Sequence, residues 1–193
     1  MRRHQASRSL KTFAWDPGGT YIRDWIYGAT SGVVTTFIVV AAVVGANQPM
    51  VVAVVLGLAN LAAIGFATAA RRYGNVKSAH ASNSWHTKPA RRVQIYDATG
   101  LVSSPWRAAV NTFAAFISCG LIPLITYLLA SREIAVCIVA TASVLFAIGA
   151  IKGRYTLTPW WRSGLDTLLL GMCAAALAFA VGRSLHLVIG ASS

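Results

Sequence analysis

Five apolar runs, each about long enough to cross a bilayer, leave this chain of 193 residues few ways to fold. They cover about 25–46, 51–70, 108–130, 134–151 and 164–182, and a spanning helix needs roughly 20 apolar residues. Lipid holds no water to satisfy backbone N–H and C=O groups, so each run closes its hydrogen bonds internally as an α-helix. Composition agrees: 56% of residues are hydrophobic and 11% charged, where a soluble domain carries about 25% charge. The expected fold is an all-α integral membrane protein with five transmembrane helices. A basic N-terminal segment covers 1–22, the membrane domain 23–183 and a short tail 184–193, with one sizeable polar loop at 71–107.

The net charge of +12 would suit a nucleic-acid binder, but the position of the charges points to topology. Five Lys and Arg residues precede or open the first run, seven follow the second and three follow the fourth. If the spans alternate, these fifteen fall on one side, and only Arg132 and Arg183 fall on the other. Cytoplasmic loops carry the excess of Lys and Arg, so the N-terminus is expected in the cytoplasm and the C-terminus outside or in a lumen. Trp25, Trp106, Trp160 and Trp161 all lie where the chain enters the membrane from that basic side, as an interfacial aromatic belt would. The expected surroundings are a lipid bilayer, with no nucleic acid.

"NQPM" joins the first two runs and "SRE" joins the third and fourth, so each pair forms an antiparallel hairpin. The loop "GNVKSAHASNSWHTKPARR" is basic, Ser-rich and broken by Pro89, which predicts a partly helical or mobile cytoplasmic link. The first 22 residues, ending "TFAWDPGGTYI", lack the apolar core of a cleaved signal peptide, and the first helix is expected to serve as the insertion signal. In a prokaryote the plasma membrane is the expected location.

Of the five acids, Asp16 and Asp97 lie in polar segments and Glu133 sits beside Arg132 in a short turn. Asp24 and Asp166 remain, each in the first turn of a span. An intramembrane acid is costly and marks a functional position by default; at a helix start it also meets water and complements the helix dipole. Gly28, Ser31 and Thr35 follow Asp24 at +4, +7 and +11, on one helical stripe. That stripe is either a polar path into the membrane or a packing surface. Gly28 and Gly32 form a small-xxx-small contact, and Ser and Thr hydroxyls can bond their own backbone. Gly149 and Gly153 form a second such pair. Asn60 and Thr68 are the polar residues of the second run, and a buried Asn needs a partner, whether a cation or another helix. Pro123 is expected to kink the third helix and free a carbonyl.

Cys119, Cys137 and Cys173 lie inside apolar runs and read as small hydrophobes. His80 and His86 are six apart, a poor spacing for one metal on a helix. No nucleophile–base pair or phosphate-cradling loop stands out, so no enzymatic activity and no resident cofactor is expected.

The stretches "RDWIYGATSGVVTTFIVVAAVVGA" and "VVLGLANLAAIGFATAARRYGNVKSA" resemble the vacuolar iron transporter family, the bacterial and nodulin-like members above all. The likeness continues in "NTFAAFISCGLIPLITYLL" and "KGRYTLTPWWRSGLDTLLLGMCAAALAFAVGR", and covers about 23 to 183. The resemblance implies a five-helix membrane fold that pairs as a homodimer. It also implies that ferrous iron or manganese moves out of the cytoplasm, in exchange for protons, along a path lined by the first helix. Carboxylates suit such hard divalent ions, and a thioether adds preference for softer ones.

Several positions depart from the family pattern. The first-helix turn commonly reads Gly-Ala-Thr-Asp-Gly, and Ser31 stands where that acid would be. The second helix commonly reads Ala-Asp-Gly-Phe-Ser-Met, where this chain has Ile64, Ala67 and Thr68 for the acid, serine and methionine. The Lys-Ser-Glu that follows becomes Lys77-Ser78-Ala79, while Asp24 and Asn60 are retained. Residues 71–107 contain no glutamate, unlike the metal-capturing domain of some members. Asp24 is thus the expected metal-meeting residue, with Gly28, Ser31, Thr35, Asn60 and Thr68 as path candidates. The competing expectations are a transport-deficient relative that acts as a dimeric scaffold or regulator, and a carrier of a different solute.

Overall fold

The computed structural model describes the backbone of residues 17–85, 104–129, 134–155 and 159–190. All regular structure among these residues is helical. The five helices are α1 (Pro17–Gly45), α2 (Met50–Trp85), α3 (Pro105–Leu129), α4 (Ile134–Tyr155) and α5 (Trp160–Gly190). Each carries a stretch long and apolar enough to cross a membrane, so the chain is a multi-pass integral membrane protein. The "SRE" link, Asp16, Asp97, Glu133, His86 and the rest of loop 86–103 lie outside the described residues.

The helices overrun the apolar runs that define them. α1 begins eight residues before the first run, and α2 continues fifteen residues past the second. At 1.5 Å per residue, the 36 residues of α2 extend about 54 Å, well beyond a hydrocarbon core of about 30 Å. α5 likewise carries the expected tail as helix as far as Gly190. Apolar sequence marks where lipid is, whereas a helix once formed propagates into polar sequence until a breaker stops it.

The stops are legible. Between α1 and α2, Asn47 adopts φ 52°, the left-handed conformation that Asn tolerates better than most residues. The Gln48 N–H donates to Val43 O (3.1 Å) and the Asn47 N–H to Val44 O (3.0 Å), a Schellman closure, and Pro49 then leads into α2. α3 starts with Ser104 as N-cap, its hydroxyl accepting from the Arg107 N–H at 3.3 Å, and with Pro105 at the first helical position.

α1 is the central helix. It packs against all four others, most extensively against α3, while among the described residues α2 touches only α1 and α3, and α5 only α1 and α4. In its apolar stretch 56% of α1 is buried, against 22% for α2 and for α5. The core has two parts along α1. One joins Ile26, Ala29 and Val33 to Ala115, Leu145 and Ile148; the other joins Phe37, Val40 and Val43 to Leu124, Tyr127 and Cys137.

Contacts fix the alternation. Gly28 and Gly32 of α1 meet Thr112 and Phe116 of α3 in the same order, so these helices are parallel. Gly57 of α2 lies on Leu124 and Gly65 on Phe113, so α2 runs antiparallel to α3. Gly149 of α4 lies on Ser163 and Gly171 of α5 on Leu145, which sets that pair antiparallel as well. Arg23, Arg71, Arg72, Lys77, Arg107, Lys152, Arg154 and Arg162 therefore gather at one end of the bundle. Trp25, Trp106, Trp160 and Trp161 ring that end and are exposed, as anchors at a lipid interface would be.

α3 runs through Pro123 as one helix. The Pro123 carbonyl accepts from the Thr126 hydroxyl (3.1 Å) and from the Cys137 thiol of α4 (3.4 Å). These are bonds to Pro123's own carbonyl; the carbonyl that its missing N–H leaves without a helix donor is that of Cys119, one turn back.

Candidate functional site

Asp24 lies two turns into α1 rather than in its first turn, because the helix starts at Pro17. Its side chain is 2% exposed, although it is only the third residue of the apolar stretch Ile22–Gly45. The dipole of the helix start is therefore not what stabilises it. Arg72 of α2 does so: its Nη2 contacts Asp24 Oδ1 directly. A buried carboxylate without such a partner would be very costly. Asp166, the other acid considered, is exposed on α5.

The hairpin places this pair. Asp24 and Arg72 are each 24 residues from Gln48, at the turn. In an antiparallel hairpin, residues equidistant from the turn sit at equal depth. By the same register Gly28 lies level with Thr68, Gly32 with Ile64 and Thr36 with Asn60. The sequence positions that distinguish this chain are thus successive levels of one helical hairpin, entered from the basic end.

The levels differ in character. Gly28 is a packing residue: a Cβ there would run into the Thr112 carbonyl oxygen, and one at Gly32 into that of Phe116. Gly120 of α3 comes against Gly32 in return. This is close small-residue packing, as the Gly28-xxx-Gly32 spacing allowed. Gly149, of the second small pair, meets Ser163 and Gly164 in the same way. Thr35 turns its hydroxyl onto its own helix, donating to Ser31 O at 2.8 Å. Ser31 is half-buried. Thr68 is 1% exposed and accepts a hydrogen bond from Arg71 Nη2 at 3.4 Å.

Asn60 lies in a groove of about 470 Å³ between α1 and α2, lined among others by Ile38, Ala42, Leu56 and Ile64. Its Nδ2 is buried and makes no hydrogen bond, and neither does the buried hydroxyl of Thr36. Asp24 and Thr68 therefore share a neighbourhood through two consecutive arginines, while Asn60 stands apart in an apolar groove. Among the described residues no three His, Cys, Asp or Glu side chains gather to hold a metal ion.

Arg72 is the residue that sequence reasoning misses. It counts there only as one of fifteen topology charges, yet the hairpin register alone pairs it with Asp24.

The sequence is similar to those of known proteins. The chain is 24% identical over 220 aligned residues to "Vacuolar iron transporter 2" of Oryza sativa subsp. japonica, covering 87% of this chain and 89% of that protein. It is 31% identical over 88 residues to "Vacuolar iron transporter 1" of Eucalyptus grandis, covering 42% of this chain and 35% of that one. A sequence model of the VIT family matches residues 22–93 and 86–183, nearly the whole membrane domain. The chain belongs to the VIT family.

Proposed function

We propose that this protein transports a divalent transition metal, ferrous iron or manganese, across its membrane in exchange for protons, and so contributes to metal homeostasis. The observation that carries this reading is Asp24, a carboxylate buried on the central helix at the basic end of a VIT-family bundle. Oxygen ligands suit such ions. An acid at membrane depth is retained at a cost that a use in the path would explain. The excess of Lys and Arg at that end supports a cytoplasmic orientation for it.

The test is flux into proteoliposomes that carry a trapped metal-sensitive dye. Wild-type protein is expected to admit Mn²⁺ or Fe²⁺, and Asp24→Asn to lower the rate at least tenfold. Equal rates in both would overturn the role of Asp24.

The second reading is a transport-deficient relative acting as a dimeric scaffold or regulator. It is favoured by Ser31, Ile64 and Thr68 at positions where the family commonly has two acids and a methionine. No flux in wild type, together with flux gained by combining Ser31→Asp, Ile64→Asp and Thr68→Met, identifies that case. A flux of some other solute would point to the carrier alternative instead.

We also propose a homodimer, formed across the α1–α2 groove. The buried Asn60 amide has no hydrogen-bond partner within the chain, and the exposed apolar residues Val55, Leu56 and Ile64 share its helix. A second copy would cover this apolar face. Native mass spectrometry from mild detergent is expected to show a dimer that weakens in Leu56→Asn, at a residue that is 49% exposed on that face; monomer alone would contradict the proposal.

A further inference from the structure

We propose that Arg72 is a tethered cation that occupies the carboxylate of Asp24 and must be displaced before a metal ion can bind there. The inference rests on the reading of Asp24 as the metal-meeting residue and adds a gate to it.

Three observations carry it. First, the burial of the two partners is unequal. Asp24 is 2% exposed and Arg72 28%, so of the two it is the arginine side chain that is partly uncovered, at the same level of the hairpin as the acid it contacts. Second, the next polar side chain inward is also engaged by an arginine, since Arg71 Nη2 donates to Thr68 Oγ1. Consecutive arginines of α2, just past its apolar run, thus engage both polar groups at the basic end of the hairpin. Third, the pair leaves atoms unused on both sides. Nη2 of Arg72 contacts Oδ1 of Asp24, while the Arg72 Nε and the Asp24 Oδ2 are buried and make no hydrogen bond, so the contact is not a fork that engages both carboxylate oxygens.

The charges explain the effect. With Arg72 in place the pair is neutral and offers a divalent ion no net attraction. A bound M²⁺ would also leave the displaced guanidinium close by, with like charge. Removing the guanidinium removes its positive charge from beside a buried carboxylate, and the site then attracts a cation from solution more strongly.

The experiment measures Mn²⁺ binding separately from transport. Protein is placed in nanodiscs of phosphatidylcholine, and free Mn²⁺ is titrated by its electron paramagnetic resonance signal. Arg72→Gln keeps a side-chain donor near Asp24 and is expected to bind Mn²⁺ at least tenfold more tightly than wild type. The gain is expected to vanish in Asp24→Asn/Arg72→Gln, and Arg72→Lys, which keeps the charge, is expected to bind as weakly as wild type. If Arg72→Gln does not yield monodisperse protein, Arg72→Met removes the charge with a side chain of similar reach.

Binding by the charge-removing variant equal to wild type, a gain that persists without Asp24, or equally tight binding by Arg72→Lys would each overturn the gate. The same variants in the flux assay separate the two readings. An Asp24-dependent gain in binding without flux in any variant supports the gate and sinks transport. Flux in wild type that depends on Asp24, with no change in binding or rate on removing Arg72, does the reverse.

Discussion

Replacing Gly32 by leucine is expected to abolish recovery of folded protein, and replacing it by alanine to cost about 2 kcal/mol of stability. The site is, with Gly28, a close approach of the central helix to the backbone of α3. A Cβ at Gly32 would fall on the Phe116 carbonyl oxygen and within 3.0 Å of its Cα. The obstacle is backbone, which cannot rotate away as a side-chain tip can. The Cα–H that the methyl would replace points at that carbonyl, a weak contact that recurs where helices meet closely. Overpacking typically costs 1–3 kcal/mol, and a rigid neighbour places the cost near the top of that range. The better helix propensity of alanine returns about 1 kcal/mol. Gly74 of α2 is the internal control. Nothing lies within 4 Å of a Cβ built there, so Gly74→Ala gains the propensity without the clash and is expected to stabilise slightly. Thermal unfolding in detergent compares the three variants, and a neutral Gly32→Ala would show that α1 and α3 separate more easily than this packing implies.

The same contact shows what is legible in the sequence. Gly28-xxx-Gly32 reads as a helix-packing motif from residue types and spacing alone, because close approach is what small residues at that spacing allow. The five spans are legible too, since apolar length is set by the bilayer. The ends of the helices are not. "PGGTYIR" and the residues after Ala70 are polar enough to look like loop, yet they continue helices nucleated within the membrane. That difference moves Asp24 from a first turn to a buried position two turns into the helix, and changes what stabilises it.

Hydroxyl groups are ambiguous in sequence for a different reason. Thr35, Ser118 and Thr126 each bond a carbonyl one turn back in their own helix. A hydroxyl satisfied in this way tells nothing of a path, and no pattern of residue types separates it from one that is not. Thr36 lies next to Thr35 and has a buried hydroxyl with no such bond. The Asp24–Arg72 pair stands between these cases. The hairpin turn at Asn47 and equal counting from Gln48 are both open to a reader of the sequence, but a basic residue at the end of a span reads first as topology.

Truncating the two members of that pair is expected to have unequal effects. Arg72→Ala leaves a carboxylate that is 2% exposed without its cation, and removing one partner of a buried pair costs about 3–5 kcal/mol. Asp24→Ala leaves an arginine whose side chain is already 28% exposed, with a flexible stem near the end of the span. That stem can carry the charge to the interface, so the expected cost is about 1 kcal/mol, in line with partly exposed ion pairs. The double truncation should cost less than the sum, by roughly 1–3 kcal/mol of coupling. Equal costs for the two single variants would mean that the burial of Asp24 is not what sets the energetics. The most telling comparison replaces both residues by apolar side chains, Asp24→Leu with Arg72→Met. Buried ion pairs exchanged for hydrophobic residues of similar volume are often neutral or stabilising, by about 1–4 kcal/mol. If the apolar pair is at least as stable as wild type, stability does not account for a charged pair at the mouth of this hairpin. What the pair provides is then a carboxylate that can be uncovered, which an apolar contact cannot supply.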